Sequence, residues 1–298
     1  MRLDFDTPVA LENVGKRFGQ VHALTGLNLQ ISAGGTVGLL GPNGSGKTTL
    51  LSLIAGLRRP SAGEVRLFGA DPRNPEARVR LGVTPQGPGI VKNMSVLKLV
   101  RFVAEHFADH EAPEELLSDF GLDHLSKKAA GSLSGGQQRL LSVALAFVGR
   151  PRLVLLDEPS TGLDVTARRH LWGTIQERAS QGVTILLTSH YLEEVQALSD
   201  RIVMIREGHV IADDDAASFV QRAATTVIRV TTADDRALRL ANIRSARRDG
   251  QDVILHVDDA SSALQSLADA GVRYSDIDIR RPSLEEAFAQ LTTGGEVS

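Results

Sequence analysis

The chain contains no cysteine, and it is poor in aromatic residues, in net charge and in long apolar runs. The absence of cysteine among 298 residues excludes disulfides, thiolate zinc sites and cysteine nucleophiles. A formal net charge of −3 provides no strong basic field, so we expect no nucleic acid as a partner. No stretch of about 20 uninterrupted apolar residues occurs, so we expect no direct membrane span. The acidic N-terminal residues predict no secretory leader.

What is present is a globular composition, 42% hydrophobic and 23% charged, at a length that suits two domains. Apolar runs at 153–156 and 184–187 lack polar alternation, which is typical of parallel strands buried on both faces. Residues 36–40 also predict a strand. Strands and helical patterns alternate, so the sequence predicts a parallel-centred α/β domain over 1–215, with a β-rich N-terminal part and strands at 9–14, 27–31 and 64–68. Helical patterns at 95–107, 113–120 and 135–148 predict a helical subdomain at about 87–150.

The character changes at the acidic run 213–215, which we interpret as a solvated turn or linker. Residues 216–298 then predict a small α+β module with a βαββαβ order of ferredoxin-like type. Its predicted strands are 227–230, 243–246, 253–257 and 274–279, its helices are 235–241 and 261–270, and a turn falls at 248–250. A last helix is predicted at 283–291.

A glycine-rich turn follows the strand at 36–40 and has the spacing of a phosphate-binding loop. Its glycines let successive backbone N–H groups face an anion, and the following helix adds its positive end. Lys47 is placed to reach the β- and γ-phosphates, and the Thr48 hydroxyl to bind Mg²⁺. The motif indicates a nucleoside triphosphate without choosing among kinases, GTPases and ATPases. The nucleotide-binding residues predicted here are Gly41, Pro42, Asn43, Gly44, Ser45, Gly46, Lys47, Thr48 and Thr49.

Two carboxylates end the apolar strand at 153–156. Asp157 stands where a magnesium-directed aspartate is required. Glu158 is the next residue and points differently, so we predict that it orients or deprotonates the attacking water.

A second glycine-rich segment, Ser134-Gly135-Gly136-Gln137 after Leu133, precedes a helical pattern. Its hydroxyl and N–H groups at a helix start form a further anion site. With the phosphate loop upstream and the acidic pair downstream, the chain resembles the nucleotide-binding domain of ABC transporters, over residues 9–212. The resemblance implies a P-loop NTPase core that binds ATP and Mg²⁺.

In that family the second segment completes the phosphate pocket of another copy, so the resemblance implies a head-to-tail dimer. Gln86 resembles the glutamine that touches magnesium and senses the membrane partner. Asp164 ends the segment 160–164, which resembles the D-loop that crosses the dimer interface. His190 resembles the switch histidine that contacts the γ-phosphate. Phe18 takes the place of the aromatic residue that stacks on adenine.

Residues 282–288 resemble the ending of type-two ABC exporters, including the daunorubicin-resistance subgroup, whose C-terminal module assists dimer assembly. This implies an exporter ATPase that works through a separate transmembrane permease at the cytoplasmic face of the membrane. Two alternatives remain open. An ABC importer ATPase more often carries a β-rich C-terminal barrel, and a soluble non-transport ABC ATPase usually carries two cassettes or a long coiled coil.

Overall fold

The computed structural model describes residues 3–84, 91–223 and 226–280. Three predictions lie outside the described residues: Gln86, the helix at 283–291 and the exporter-like ending.

The chain divides into two compact units, Met1–Ala216 and Ala217–Ser298, and each is described by itself. In chain order the strands and helices are β1 (Val9–Phe18), β2 (Val21–Ile31), β3 (Thr36–Leu40), α1 (Lys47–Ile54), β4 (Ala62–Leu67), α2 (Pro75–Arg78), β5 (Leu81–Val83), α3 (Val96–Ala104), α4 (Pro113–Asp119), α5 (Gly135–Phe147), β6 (Leu153–Asp157), α6 (Val165–Ser180), β7 (Thr184–Thr188), α7 (Leu192–Leu198), β8 (Arg201–Arg206), β9 (His209–Asp215), α8 (Ala216–Ala223), β10 (Thr226–Thr231), β11 (Ser245–Asp249), β12 (Asp252–Val257), α9 (Ala260–Asp269) and β13 (Asp276–Arg280).

A six-stranded sheet in the order β5-β6-β7-β3-β8-β9 forms the centre of the first unit. All neighbouring pairs are parallel except β8 with β9. Every residue of β3 and β7 is buried, as expected for strands covered on both faces. The predicted parallel-centred α/β domain is therefore confirmed.

The N-terminal part is a separate antiparallel sheet in the order β2-β1-β4, which confirms the predicted β-rich part. β1 and β2 are longer than the predictions at 9–14 and 27–31. Most of the extra residues are exposed, and backbone pairing across the hairpin holds them through several register shifts. Residues without a regular apolar alternation give little strand signal, so the prediction for β1 ended too early and that for β2 began too late.

The interpretation of 213–215 as a turn or linker is wrong, because these residues form the end of β9. β9 pairs with β8, and residues alternate between exposed and half-buried. The Arg201 guanidinium donates to both oxygens of Asp213, at 2.6 Å each. The acidic run is therefore a solvated edge strand whose charge is partly matched by its neighbour.

Helices α3, α4 and α5 follow one another between the strands β5 and β6, as predicted for a helical subdomain. An ion-pair cluster ties this segment to α6, in which Arg178 donates to both oxygens of Glu111 at 2.6 and 2.8 Å and to Asp119 at 2.7 Å. The side chains of Arg178 and Glu111 are only 12% and 14% exposed. Within the described ranges, no helix is long and apolar enough to cross a membrane.

Arg178→Met is expected to lower the free energy of unfolding by roughly 3–5 kcal/mol, because it leaves the buried Glu111 carboxylate unpaired. Burial raises the pKa of Glu111 while Arg178 opposes that rise, so the substitution raises this pKa further. A carboxyl pKa above its unfolded value costs stability at high pH, and the cost disappears as pH falls below the unfolded value. Chemical denaturation at about pH 7 and pH 5 should therefore show a smaller loss at the lower pH.

The matched control for this experiment is the double variant Glu111→Gln with Arg178→Met, which removes the orphaned charge. We expect it to recover much of the lost stability and to lose the pH dependence. A loss of equal size in both variants at both pH values would contradict the role given to the ion pair.

The second unit has a four-stranded antiparallel sheet in the order β11-β12-β10-β13. Its core includes Ile228, Leu255 and Leu267. With α9 before β13, the order and pairing are those of a ferredoxin-like module, as predicted.

Two details of this module differ from the prediction. The helix predicted at 235–241 is a shorter 3₁₀ helix, Asp235–Arg239. Its Arg236 guanidinium donates to the carbonyl oxygens of Ala270 and Gly271 at 2.8 and 2.9 Å. The strand predicted at 243–246 is β11, so residues 248 and 249 of the predicted turn belong to a strand. Backbone pairing with β12 makes these residues a strand. Their own side chains give no strand signal, because most of them are charged and exposed.

Candidate active site

The loop between β3 and α1 requires glycine for geometric reasons. Gly46 precedes α1 with φ 109°, and a Cβ there would lie 2.6 Å from the carbonyl oxygen of Ala23. At Gly41 a Cβ would lie 2.2 Å from the carbonyl oxygen of Ile205. The Ser45 hydroxyl is buried and has no hydrogen-bond partner within the described part of the chain. The loop is thus an anion cradle at a helix start, with one polar atom left for a ligand.

Lys47 is held across this loop by backbone oxygens. Its Nζ donates to the carbonyl oxygens of Gly41 at 2.7 Å and Pro42 at 3.0 Å. Burial lowers the pKa of Lys47, and the carboxylates of Glu158 and Asp157 act in the opposite direction. The ammonium group is therefore poised between the cradle and two carboxylates, where phosphate oxygens can take over its hydrogen bonds.

Asp157 and Thr48 lie together although 109 residues separate them. The Thr48 hydroxyl donates to Asp157 Oδ2 at 3.3 Å, and the Thr188 hydroxyl donates to Oδ1 at 2.6 Å. Thr188 ends β7, the strand between β6 and β3, so it fixes the carboxylate beside the loop. A hydroxyl and a carboxylate beside a small cavity of about 120 Å³ are the hard oxygen donors that suit Mg²⁺. The residues present fit that ion.

Glu158 adopts a left-handed backbone conformation with φ 53°, which is strained for a residue with a side chain. Its N–H donates to the Thr188 hydroxyl at 3.1 Å. Its Oε2 accepts from the Thr161 hydroxyl at 3.2 Å and lies 3.3 Å from His190 Nδ1. The side chains of Glu158 and His190 are 41% and 45% exposed, so water reaches both. A carboxylate paired with a histidine in this way can take a proton from water.

Sequence reasoning missed two residues that organise this pair. One is Thr188, which bonds both acidic residues from the neighbouring strand. The other is Arg139 on α5, whose guanidinium donates to the carbonyl oxygens of Asp157 and of Glu158, the latter at 3.1 Å. The available signal was that Arg139 is the single charged residue in the sequence of α5.

Phe18, the last residue of β1, is 39% exposed. The Lys16 ammonium and the Arg58 guanidinium lie 5.1 and 5.0 Å from the centroid of its ring. These are cation–π distances. The ring is thus accessible to a stacking partner in a cationic setting, which suits a base that carries phosphates.

The segment 134–137 begins α5 with a capping box. The Ser134 hydroxyl accepts from Gln137 N–H at 3.2 Å, and the Gln137 side chain accepts from Ser134 N–H at 3.0 Å. A Cβ at Gly135 would meet nothing within 4 Å, whereas one at Gly136 would lie 2.9 Å from the carbonyl oxygen of Gly162. Gly135 therefore leaves room for a ligand, and Gly136 lets α5 pack closely against the loop that precedes α6.

The structure brings together Lys47, Thr48, Asp157, Glu158 and His190. Among the described residues, no hydrogen bond or ion pair joins segment 134–137 to the loop 41–48. Asp164 caps α6, with its Oδ1 accepting from Ala167 N–H at 2.8 Å.

Comparison with known proteins gives concordant similarities. A family model described as ABC transporter matches residues 24–161. Nod factor export ATP-binding protein I of Burkholderia lata is 35% identical over 298 residues, covering 96% of this chain and 97% of that protein. Daunorubicin resistance ATP-binding protein DrrA3 of Streptomyces coeruleorubidus is 32% identical over 305 residues, covering 96% of each. A solved ATP-binding cassette, a dimer in a post-hydrolysis state bound to ADP and Pi, matches with TM-score 0.64 and 25% identity over 70% of this chain and 98% of that one.

Proposed function

Because this chain belongs to the ABC transporter family, as an exporter-type ATP-binding subunit that hydrolyses ATP, we propose that it powers a separate transmembrane permease. Two copies close head to tail over two ATP molecules, and hydrolysis reopens them. One observation carries this proposal: the hydrolytic residues lie together in one site. Thr48 is hydrogen-bonded to Asp157. Glu158 is hydrogen-bonded to Thr188 and lies close to His190. The importer and soluble non-transport alternatives are less favoured, since full-length relatives are named for export and drug resistance.

Each residue of the site has a task in hydrolysis. Lys47 and the loop N–H groups bind the β- and γ-phosphates, and Phe18 stacks on adenine. Thr48, Asp157 and Gln86 would hold Mg²⁺, which would supply charge neutralisation at the phosphates. Glu158 accepts a proton from the attacking water, and His190 holds the Glu158 carboxylate and the γ-phosphate in place.

The segment 134–137 acts on the nucleotide of the second copy. Its N–H groups at the start of α5 form an anion site that makes no bond to the loop 41–48 among the described residues. Ser134, Gly135, Gly136 and Gln137 with Asp164 therefore complete the partner's pocket. The second unit, 217–298, assists the assembly of that dimer at the cytoplasmic face of the membrane.

The permease contacts a cavity of about 580 Å³ in the first unit, lined mainly by apolar side chains from the end of α1, from α2 and β5, and from α5. Leu57 and Val79 on its rim are 67% and 47% exposed, which is unusual for large apolar side chains on a surface otherwise rich in charge. Phe107 also lines the cavity. An apolar segment of a membrane protein is the occupant that this lining suits.

The test is affinity capture of the tagged chain from native membranes in mild detergent, with identification of what accompanies it. We expect a multi-span membrane protein in stoichiometric amount. Leu57→Glu with Val79→Glu should abolish its recovery while ATP hydrolysis by the isolated chain persists. The control is Ile211→Glu, which alters an exposed apolar residue of β9 outside the cavity. Recovery with ribosomes or DNA factors and no membrane protein would overturn the transport role.

A further inference from the structure

One face of α6 contacts the beginning of α7 through two side-chain pairs. The Arg168 guanidinium carbon lies 4.4 Å from the centroid of the Tyr191 ring. Trp172, four residues further along α6 and so on the same face, donates its indole N–H to Glu194 Oε1 at 3.0 Å. We call these two pairs the α6–α7 clamp.

Glu194 is a buried acid to which the hydrolytic site described above gives no task. Its exposure is 0%, and its Oε2 has no hydrogen-bond partner among the described residues. A buried carboxylate with one oxygen unsatisfied is costly, and an apolar residue of similar size would pack there at less cost. A buried acid at this position therefore points to a task other than packing.

The charge of Glu194 is also felt by Arg139, which donates to the Asp157 and Glu158 carbonyl oxygens. Burial lowers the pKa of Arg139, and the carboxylates of Asp157, Glu158 and Glu194 counteract this. Glu194 thus lies near the cation that holds the acidic pair and contacts the helix that follows the D-loop.

The clamp joins two segments that both act at the nucleotide. Asp164 is the N-cap of α6, and the Arg168 N–H donates to the Asp164 carbonyl oxygen at 2.9 Å. His190 directly precedes the clamp residue Tyr191, with ring centroids 4.0 Å apart. These contacts therefore connect the start of α6 with the segment that carries His190.

We propose that the α6–α7 clamp sets the position of His190 against Glu158 according to the position of the D-loop, so that Arg168, Trp172 and Glu194 are positioning residues for ATP hydrolysis. The inference rests on the roles of His190 and Glu158 proposed above. It predicts an effect on the chemical step with little effect on ATP binding, because no clamp residue belongs to the cradle.

The experiment compares variants that change one charge at adjacent positions. Glu194→Gln keeps the shape and an oxygen acceptor for Trp172, and Glu193→Gln removes the neighbouring exposed acid. Arg168→Gln breaks the other pair, and Arg169→Gln is its exposed control. We expect Glu194→Gln and Arg168→Gln each to lower kcat about tenfold with KM for ATP changed less than about twofold, and both controls to match the parent chain.

A second measurement separates positioning from a structural role. In a His190→Ala background, Glu194→Gln and Arg168→Gln should lower kcat no further, because the residue that they position is gone. Trp172 is the single tryptophan, so its emission reports on the clamp, and the change in emission on ATP addition to Glu158→Gln should be lost when Glu194→Gln is added.

An unchanged kcat in Glu194→Gln or Arg168→Gln would overturn the clamp, as would an equal loss in the His190→Ala background. If Glu194→Gln fails to fold, the comparison of Arg168→Gln with its control Arg169→Gln tests the clamp. Failure of the clamp is distinguishable from failure of the hydrolytic site, because the latter would appear as normal turnover in Glu158→Gln.

Discussion

Glu158→Gln is expected to lower ATP turnover by about two to four orders of magnitude while ATP binding is retained. The amide cannot accept a proton from water, yet it keeps the size of the side chain and an oxygen for the Thr161 hydroxyl. The cradle residues Lys47 and Thr48 are untouched. On the proposal that hydrolysis reopens the dimer, the variant with ATP should elute as a dimer in size-exclusion chromatography, whereas the variant without nucleotide should not.

The left-handed backbone conformation of Glu158 calls for a control substitution at another residue with the same conformation. Glu207 in the β8–β9 turn is exposed and has φ 50°, close to the 53° of Glu158. Glu207→Gln makes the same change in a left-handed conformation away from the acidic pair, so it should hydrolyse ATP normally. Near-normal turnover in Glu158→Gln, with a folded chain, would show that another group activates the water.

Lys47→Ala is expected to weaken ATP binding by roughly two to three orders of magnitude, in line with the loss of one partner from a partly buried charge contact. The Lys47 ammonium group donates to the carbonyl oxygens of Gly41 and Pro42 in the cradle. The negatively charged γ-phosphate needs this positive charge, because the carboxylates of Asp157 and Glu158 also lie nearby. Without Lys47 the two carboxylates repel the incoming nucleotide. Titration calorimetry or a fluorescent nucleotide gives the affinity directly.

Lys127→Ala serves as the matched control, since it removes an exposed ammonium group in a turn between α4 and α5. It should bind ATP as the parent chain does. An affinity of Lys47→Ala within a few-fold of the parent would contradict the placement of the phosphates in the loop 41–48.

Much of the fold could be predicted because the strongest local signals coincide with buried elements. β3 was predicted with its observed bounds, because a glycine-rich turn follows it directly. β6 and β7 were predicted within one residue, because each is an apolar run that ends at a polar residue. The cradle was visible because its glycines are imposed by backbone geometry over a few residues. Elements held mainly by pairing with a neighbour, such as β9 and β11, were missed or shifted because their residues are charged and exposed.

The sequence by itself determined the chemistry of the site, because a phosphate cradle, a strand ending in two acids and a glycine-rich helix start each require particular residues at fixed local spacing. Only the tertiary structure decided which groups support that chemistry. Thr188 and Arg139 reach Asp157 and Glu158 from another strand and another helix, and the α6–α7 clamp pairs residues 22 or more positions apart. Such contacts depend on strand order and helix packing, and these leave no fixed spacing along the chain.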